Sequence, residues 1–351
     1  FQINGVFVSR EDYAACMERV KRACDDLTSE GSAHPTAFEI ETALAFFYFY
    51  EKKCDIAVIE TGMGGALDAT NLIKRPLVSV LTNISRDHMA FLGDSPAEIA
   101  EQKAGIIKEG RPVVCACQSP QAMEVIKKRA GDKNAALSVV DSKALTEAHY
   151  DAEGMDFVYR PGGTKSLSVH LSLTGEYQKK NALLAILAAE ELKRQGYRIA
   201  DREVKEGLKN ARLAGRFETV CLKPRIILDG AHNEGAAREL LSTVRNCFTN
   251  CPITYIIGML ADKEYEKVLE ILLPYARKVY TVTPDNGRAL SGEILCEKAK
   301  KYHSDVTDEE SVAAALAHAV AGAKKSEVIL AFGSLSYLRE VKEACMAWRR
   351  S

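Results

Sequence analysis

The N-terminal part of the chain carries two helical patterns of apolar residues. Through residues 9–27 apolar positions recur at helical spacing, and Ser9 with Asp12 stands like a capping box, so a helix is predicted there. Residues 36–52 are apolar almost all round, with Phe38, Leu44 and Phe47 on different sides of the helix. Such a helix is tolerated only where neighbouring chain covers most of its surface, so we expect it to be buried.

After residue 54 the pattern changes to short β-branched runs that alternate with helical segments. Strands are predicted at 55–60, 77–84, 112–116 and 136–140, with helices at 95–110 and 120–130. This alternation favours a parallel sheet with crossover helices. Residues 156–173 break the rhythm and predict a hairpin around Gly162 and Gly163, followed by helices at 178–195 and 201–211.

A second alternation begins near Arg216, after the helical pattern is interrupted at residues 213–215. Strands are predicted at 225–229, 253–260, 278–283 and 327–332, with helices between them that include 309–323 and a final helix after the last strand. The sequence therefore predicts an α/β protein of two domains, residues 1–212 and residues 213–351.

Composition narrows the classes of function. The chain has 351 residues with 47 basic and 48 acidic side chains, and this near-neutral balance argues against a nucleic-acid binder or a membrane-surface protein. Its longest apolar runs are too short to cross a bilayer. Ten cysteines are scattered without a CxxC pair, which favours reduced thiols in the cytoplasm. We expect a soluble cytoplasmic protein that holds any anionic ligand with a local array of groups.

Polar residues that follow predicted strands are the first candidates for chemistry, because ligands of parallel sheets bind outside the carboxyl ends of the strands. Glu60 ends one apolar run and leads into Gly62, Gly64 and Gly65, where the backbone can approach a ligand closely. These glycines lack the GxGxxG spacing of a dinucleotide fingerprint. Glu60 could equally be a carboxylate that caps a helix.

His88 follows the next predicted strand, directly after Asp87, at the same predicted edge of the sheet as Glu60. A lone histidine is more often structural than a ligand. A carboxylate and an imidazole on one sheet edge, however, suit a divalent cation that holds phosphates.

Lys103 lies on the apolar face of the helix predicted to begin after Ser95. A lysine that faces a core costs free energy unless it is paired or chemically modified, because burial disfavours the ammonium. The alternative is an apolar stem along the helix with its charged end in water.

A further set of candidates lies in the second predicted domain. Residues 229–233, Asp-Gly-Ala-His-Asn, follow a strand and open a helix, so this turn offers backbone N–H groups, the Asp229 carboxylate and the His232 imidazole. Arg216, just past the domain boundary, could clamp a phosphate through two hydrogen bonds. Each signal is weak alone, but together they predict a nucleotide or anionic-substrate cleft lined from both domains.

Eight strings run in a fixed order along the chain: PTAFEIETALAFFYF, IETGMGGALDATN, LTNISRDHMAFLGDSPAEIAEQKAGIIK, LTGEYQKKNALLAI, GRFE, LDGAHN, GMLADKE and FGSLSYL. On these strings the chain resembles the folylpolyglutamate synthase/dihydrofolate synthase family of the Mur ligase superfamily. The resemblance implies a two-domain, Mur-ligase-like α/β fold, with a parallel-sheet, ATPase-type N-terminal domain and a Rossmann-like C-terminal domain.

The resemblance also implies an activity. ATP phosphorylates the carboxylate of a folate or a dihydropteroate, and the amine of L-glutamate then attacks the acyl phosphate, while Mg²⁺ neutralises the phosphates. The implied partners are these small molecules, bound by a monomer that contacts neither nucleic acid nor a membrane.

Site residues are carried over from the resemblance by position. Three match catalytic and magnesium-binding positions, the last as a lysine that is carbamylated in the superfamily: Glu60, His88 and Lys103. Three match positions that contact ATP: Asn181, Arg216 and Asp229. Two match positions near the nucleotide or the incoming glutamate: His232 and Ser334. Three match a pterin pocket: Phe38, Asp68 and Ala69.

The chain also departs from the family pattern. The family has Arg, Leu and often His at the positions of Ala66, Arg86 and Tyr177. These differences bear on substrate preference more than on reaction type. No GxxxxGK[ST] phosphate loop occurs in the sequence, and the loop of the family lies upstream of the position of Phe1. We expect a truncated N-terminal domain and a 351-residue chain that is inactive alone.

Two other functions compete with this interpretation. One is a catalytically inactive homologue that binds a ligand through the same fold. The other is a Mur-type ligase for a cell-wall precursor, which the DATN and FGSLSYL strings disfavour.

Overall fold

The computed structural model describes residues 1–84, 93–161, 166–324 and 326–350. The chain forms two compact units. The N-terminal unit comprises residues 1–113 and 118–137, and the C-terminal unit comprises residues 114–117 and 138–351. The predicted domains 1–212 and 213–351 stay a prediction.

The described residues up to 139, which are 1–84 and 93–139, form a short hairpin, four helices and a small sheet. Its strands are β1 (Gln2–Ile3), β2 (Val6–Phe7), β3 (Ser79–Leu81), β4 (Val113–Cys115) and β5 (Leu137–Val139). Its helices are α1 (Arg10–Ser29), α2 (Ala37–Glu51), α3 (Pro96–Ala104) and α4 (Pro120–Asp132). Strands β1 and β2 pair antiparallel, and the sheet of the other three strands has the order β3-β4-β5. The helices and strands predicted for this part are thus confirmed in type and order, apart from the strand at 55–60, although the helix predicted at 95–110 ends at Ala104.

Two predictions for this unit are wrong. Residues 55–60 form neither helix nor strand, and Val58 is 93% exposed. A β-branched run becomes a strand only where another strand pairs with its N–H and C=O groups, and no described strand pairs with this one. The second error concerns α2, which buries one stripe against α1, with Leu44 and Tyr48 at its centre, instead of being covered on most sides.

The C-terminal unit begins with a three-stranded antiparallel sheet. Its strands are β6 (Leu145–Tyr150), β7 (Met155–Tyr159) and β8 (Leu167–Leu171), in that order. Strands β7 and β8 confirm the predicted hairpin, whose tip at 162–165 lies outside the described residues. Two helices follow, α5 (Glu176–Arg194) and α6 (Asp201–Asn210).

The rest of this unit is a six-stranded sheet with helices on both faces. Its strands are β9 (Glu218–Leu222), β10 (Arg225–Asp229), β11 (Ile253–Ile257), β12 (Lys278–Thr281), β13 (Val306–Asp308) and β14 (Val328–Phe332). Its helices are α7 (Glu234–Cys247), α8 (Tyr265–Leu272), α9 (Gly292–Ala299), α10 (Val312–Gly322) and α11 (Leu335–Trp348). The strand order is β13-β12-β11-β14-β10-β9, and only β9 pairs antiparallel. The predicted second alternation is confirmed, although β9 and β13 were not predicted.

The carboxyl ends of the three central strands of this sheet lie level with one another. Asp229 at the end of β10 pairs with Phe332 at the end of β14, and Phe332 also pairs with Ile257 at the end of β11. Because these strands are parallel, the loops that follow them emerge side by side at one edge of the sheet. Three predicted site residues of this unit lie at or directly after these strand ends: Asp229, His232 and Ser334.

Candidate functional site

The glycine-rich loop of the N-terminal unit packs between α2 and α3. A Cβ atom on Gly62 would lie 2.3 Å from Cζ of Phe38, and one on Gly65 would lie 2.8 Å from the Gln102 carbonyl oxygen and 3.0 Å from that of Lys103. The Ala66 N–H donates to the Gln102 carbonyl over 2.8 Å. The glycines are therefore needed for close packing, and they connect Phe38 on one side with the helix of Lys103 on the other.

Asp68 organises this loop with its carboxylate. Oδ2 accepts from the Met63 N–H at 2.8 Å, and Oδ1 accepts from the Thr70 N–H at 2.9 Å and the Thr70 hydroxyl at 2.6 Å. Burial acts to raise the pKa of Asp68, but these hydrogen bonds outweigh it and leave the pKa below its ordinary value. Asp68 also caps the short 3₁₀ helix Ala69–Leu72. Its role towards a pterin, and that of Ala69, stay predictions.

A cavity of about 240 Å³ opens beside the loop. Its apolar lining includes Phe1, Phe38, Phe46 and Phe49, and its polar lining includes Glu41, Thr42, Glu60 and Thr70. Two residues predicted for different roles, Phe38 and Glu60, thus border one cavity. Phe46 and Phe49 were not among the predicted site residues, although Phe38, Thr42, Phe46 and Phe49 recur at helical spacing and lie on one face of α2.

Lys103 is half-buried near the end of α3, whereas Ile99 and Ala104 on the same helix are fully buried. Lys103 is therefore less buried than its helical spacing predicted, and its exposed fraction leaves room for a solvated amine. His88 lies outside the described residues.

The donor groups of the N-terminal unit fit a magnesium ion in part. In the described ranges no three His, Cys, Asp or Glu side chains cluster closely enough to hold a metal. Mg²⁺, however, is commonly held by one or two carboxylates together with phosphates of its substrate. The exposed carboxylate of Glu60 suits one such position. The Lys103 amine would suit another only as a carbamate, which presents oxygen atoms.

We predict that Gly105→Ala destabilises the protein by about 1–3 kcal/mol, because the new methyl group would be forced into packed backbone. The Cβ of the new alanine would lie 2.3 Å from the Ala66 Cα, and this backbone atom, unlike a flexible side chain, cannot rotate out of the way. The matched control is Gly207→Ala in α6, where nothing lies within 4 Å of the new Cβ. The control should stabilise the protein by up to about 1 kcal/mol. Urea unfolding of both variants tests this, and equal effects would contradict it.

In the C-terminal unit, a glycine follows each of the three level strand ends. These are Gly230, Gly258 and Gly333. A Cβ on Gly333, whose φ is +126°, would lie 2.4 Å from the Gly258 carbonyl oxygen, and one on Gly230 would lie 2.5 Å from Cδ2 of Leu335. The loops after β11 and β14 therefore touch backbone to backbone, and the side chain of Leu335, the residue after Ser334, packs on the loop that follows Asp229.

Asp229 is a buried carboxylate that ties two loops together. Its oxygens accept from the Phe217 N–H and the Ala231 N–H, both at 2.9 Å. Burial raises its pKa to about 6, while the two backbone donors and the positive charge of Arg216 act in the opposite direction. Arg216 is half-buried, and its Nη1 lies 3.4 Å from the position of a Cβ on Gly230. The predicted pair of Arg216 and Asp229 therefore lies together.

His232 and Ser334 are held by local hydrogen bonds. The His232 Nδ1 lies 2.8 Å from the Gly230 carbonyl oxygen. A carbonyl only accepts, so Nδ1 carries the proton and Nε2 of a neutral ring is left as an acceptor. The hydroxyl of Ser334, which is 5% exposed, accepts from the Ser336 N–H at 3.3 Å and caps α11. Their roles towards nucleotide or glutamate stay predictions.

Helix α5 contributes Asn181 and a neighbour that sequence reasoning did not select. Asn181 is exposed and donates its Nδ2 to Oε1 of Gln178 over 3.0 Å. The pKa of Tyr177 is raised, first by burial and then by the nearby charge of Asp229, with Arg216 opposing. The start of α5 thus lies close to the Arg216 and Asp229 pair, although the sequence marked Tyr177 only as a departure from a family pattern.

We predict that the stability difference between wild type and Asp229→Asn depends on pH. The folded pKa of about 6 exceeds the ordinary value of 3.8, so the folded state holds this proton more tightly and the stability it contributes is lost as pH rises through about 6. About two pKa units correspond to about 3 kcal/mol. Asparagine has no such loss, so the free energy of unfolding of wild type should fall by about that amount relative to that of Asp229→Asn from pH 4 to 7.5. A pH-independent difference in urea unfolding would contradict this.

Two family models match the chain. One, the Mur ligase middle domain, matches residues 13–189, and the other, the glutamate ligase domain of Mur ligases, matches residues 215–335. No helix of the described part is long and apolar enough to cross a membrane.

Curated relatives share much of the sequence. Dihydrofolate synthase/folylpolyglutamate synthase of Bacillus subtilis is 33% identical over 345 residues, which is 97% of this chain and 79% of that protein. Folylpolyglutamate synthase of Lacticaseibacillus casei is 34% identical over 279 residues, which is 79% of this chain and 63% of that protein.

Solved structures are similar over nearly the whole chain. Folylpolyglutamate synthase of Mycobacterium tuberculosis, complexed with ADP and AMPPCP, has a TM-score of 0.87 at 29% identity and covers 99% of this chain and 80% of that chain. FolC of E. coli in complex with DHPP and ADP has a TM-score of 0.84 at 27% identity, over 100% of this chain and 79% of that chain. The chain therefore belongs to the dihydrofolate synthase/folylpolyglutamate synthase family of Mur ligases.

Proposed function

We propose that this protein is an ATP-dependent ligase that adds L-glutamate to folate, to dihydropteroate or to both. The observation that carries the proposal is the cavity of the N-terminal unit, where the aromatic ring of Phe38 and the carboxylate of Glu60 share one lining. An aromatic wall suits a flat pterin ring, and a carboxylate at the same opening suits a cation that accompanies phosphates. These are the two parts that activation of a pterin-linked carboxylate requires.

The C-terminal unit supplies a set of groups suited to ATP. Arg216 offers a planar guanidinium that can hold phosphate oxygens by two hydrogen bonds. Asp229 holds the loop beside Arg216 in place through its two backbone hydrogen bonds, and the exposed Asn181 offers an amide to the nucleoside. In the related M. tuberculosis structure the ligands are ADP and AMPPCP, which supports the same ligand class here.

Magnesium would be held by Glu60 and by Lys103 as a carbamate, both of which are described residues. His88 is the third proposed ligand. When bound, the magnesium ion offsets the negative charge of the phosphates. Each of the remaining steps depends on groups of the chain that bind and orient the substrates.

The proposed reaction has two steps. A carboxylate oxygen of the folate or dihydropteroate attacks the γ-phosphorus of ATP, so that ADP leaves and an acyl phosphate forms. The neutral amine of glutamate then attacks the acyl carbon, phosphate leaves, and the amine loses a proton as the amide forms. In this proposal Arg216 stabilises charge on the phosphates, and the cavity beside Phe38 holds the pterin while the carboxylate reacts.

The test is a ligation assay on the full-length protein with ATP, magnesium and glutamate, in which dihydropteroate and tetrahydrofolate are compared side by side. The proposal expects at least one of them to gain a glutamate, with one ADP released for each amide formed. Nucleotide binding without any product on either substrate would instead support the non-catalytic homologue.

We expect the protein as a whole to be a cytoplasmic monomer.

A further inference from the structure

Asn71 uses both its backbone and its side chain to join two segments of the N-terminal unit. Its backbone N–H donates to the Asp68 carbonyl oxygen at 2.9 Å and closes a turn at the end of the glycine-rich loop. Its Nδ2 donates to the Ala66 carbonyl oxygen at 3.0 Å and to the Gly105 carbonyl oxygen at 3.2 Å. One amide nitrogen therefore bridges the glycine-rich loop and the chain just past α3.

Lys108 holds Asn71 from the other side. Its Nζ donates to the backbone carbonyl oxygen of Asn71 at 3.2 Å. Burial lowers the pKa of Lys108 below its ordinary value, and the positive charges of Arg129 and Lys133 act in the same direction. An ammonium in such surroundings costs free energy, and the contact with Asn71 is the compensation that the described structure shows.

The two segments that Asn71 joins carry groups of the proposed active site. The cavity loop, residues 62–70, ends at Thr70, which lines the cavity proposed for the pterin. The Lys103 segment, residues 102–108, carries the amine that is proposed to bind magnesium as a carbamate. A shift of one segment against the other would therefore move the wall of the cavity relative to a metal ligand.

We propose that Asn71 is a positioning residue that fixes the cavity loop against the Lys103 segment, and that Lys108 keeps Asn71 in place. Asparagine suits this role because its amide carries two N–H groups, which can reach two carbonyl oxygens at once. Asn71 acts through the two segments and does not contact the reacting atoms. This inference rests on the proposed ligase function.

The experiment measures steady-state ligation and the melting temperature of the full-length protein and its variants. The pterin substrate is whichever of dihydropteroate and tetrahydrofolate the wild type ligates. We expect Asn71→Ala to raise the KM for this substrate about tenfold, the size expected when two hydrogen bonds are lost, and the KM for ATP less than twofold. The kcat should fall as well, because the Lys103 segment is then less firmly fixed.

Asn71→Asp separates hydrogen bonding from the filling of space. Aspartate has the same shape as asparagine, but its carboxylate would face the carbonyl oxygens of Ala66 and Gly105, and it has no N–H to offer them. It should therefore raise the KM for the pterin substrate at least as much as Asn71→Ala. A wild-type KM in Asn71→Asp would overturn the inference.

Two substitutions of Lys108 test its part in the proposal. Lys108→Met removes the donor to Asn71 and should raise the KM for the pterin substrate about threefold, the size expected for one hydrogen bond. Lys108→Arg keeps a donor and should bring this KM back to within twofold of the wild-type value. If Asn71→Ala does not fold, this pair decides, since equal KM values for Lys108→Met and wild type would also overturn the inference.

Ser79→Ala is the matched control. The buried Ser79 hydroxyl donates to the Ile106 carbonyl oxygen at 2.9 Å, so it anchors the Lys103 segment too, but from β3 and not from the cavity loop. We expect a lower melting temperature and an unchanged KM for the pterin substrate. If this control raises the KM as much as Asn71→Ala does, general loosening of the segment explains both and the inference is wrong.

The outcomes separate the inference from the function on which it rests. If the wild type ligates glutamate and Asn71→Ala has wild-type kinetic constants, or raises the KM for ATP as much as that for the pterin substrate, the inference fails and the ligase function stands. If the wild type forms no product on either substrate, the proposed function fails and the inference falls with it.

Discussion

Lys103→Met in the full-length protein is expected to lower glutamate ligation by about ten- to a hundredfold, the loss typical when a group that supports a metal site is removed. Methionine preserves the apolar stem that packs along α3 but cannot form a carbamate or present oxygen to a cation. The Kd for ADP should change less than twofold, because the groups proposed for the nucleotide lie in the C-terminal unit. Steady-state product formation and calorimetry together measure both effects.

Lys127→Met on α4 is the control for this prediction, since Lys127 is exposed. It should ligate glutamate at the wild-type rate. Ligation by Lys103→Met close to the wild-type rate would show that Lys103 is an ordinary solvated lysine, which its half-buried position also allows.

The second large effect is expected from Arg216→Ala. Loss of a guanidinium that binds phosphates should raise the Kd for ADP by about ten- to a hundredfold. Lysine should restore little of it, because an ammonium cannot make the paired contacts of a planar guanidinium. Removing Arg216 also removes the positive charge that opposes the raised pKa of Asp229, so that pKa should rise further. The pH dependence of unfolding would detect this second consequence.

Arg212→Ala is the comparison for Arg216→Ala. Arg212 is exposed and, among the described residues, donates to the backbone carbonyls of Lys209 and Ala211. Its loss should leave ADP affinity unchanged. If the two variants bind ADP equally well, Arg216 has no special role and the proposed site must lie elsewhere.

The C-terminal unit could be predicted well from sequence because its signals are local. Buried strands of a parallel sheet read as continuous apolar runs, and the polar residue that ends such a run, Asp229, marks the edge where loops converge. Strand β9 was not predicted because it pairs antiparallel at the edge of the sheet and its residues, such as Thr219 and Val220, are only half-buried. Its alternation was too weak to separate from a loop.

The N-terminal unit could be predicted less well because its signals depend on distant partners. The run at 55–60 has strand-like residues, but strand formation also requires a neighbouring strand. The cavity beside Glu60 arises from the face of α2 that carries Phe46 and Phe49, and an all-round apolar pattern does not reveal which face is left open.

The central claim is that the protein activates a pterin-linked carboxylate by phosphorylation before glutamate attacks. The most direct test of this claim is whether an oxygen atom passes from the substrate carboxylate to the released phosphate. The substrate carboxylate is labelled with oxygen-18, and the inorganic phosphate released by the full-length protein is examined by mass spectrometry. The account predicts one labelled oxygen in the phosphate for each amide formed. Amide formation with unlabelled phosphate, or with label in AMP instead, would contradict it.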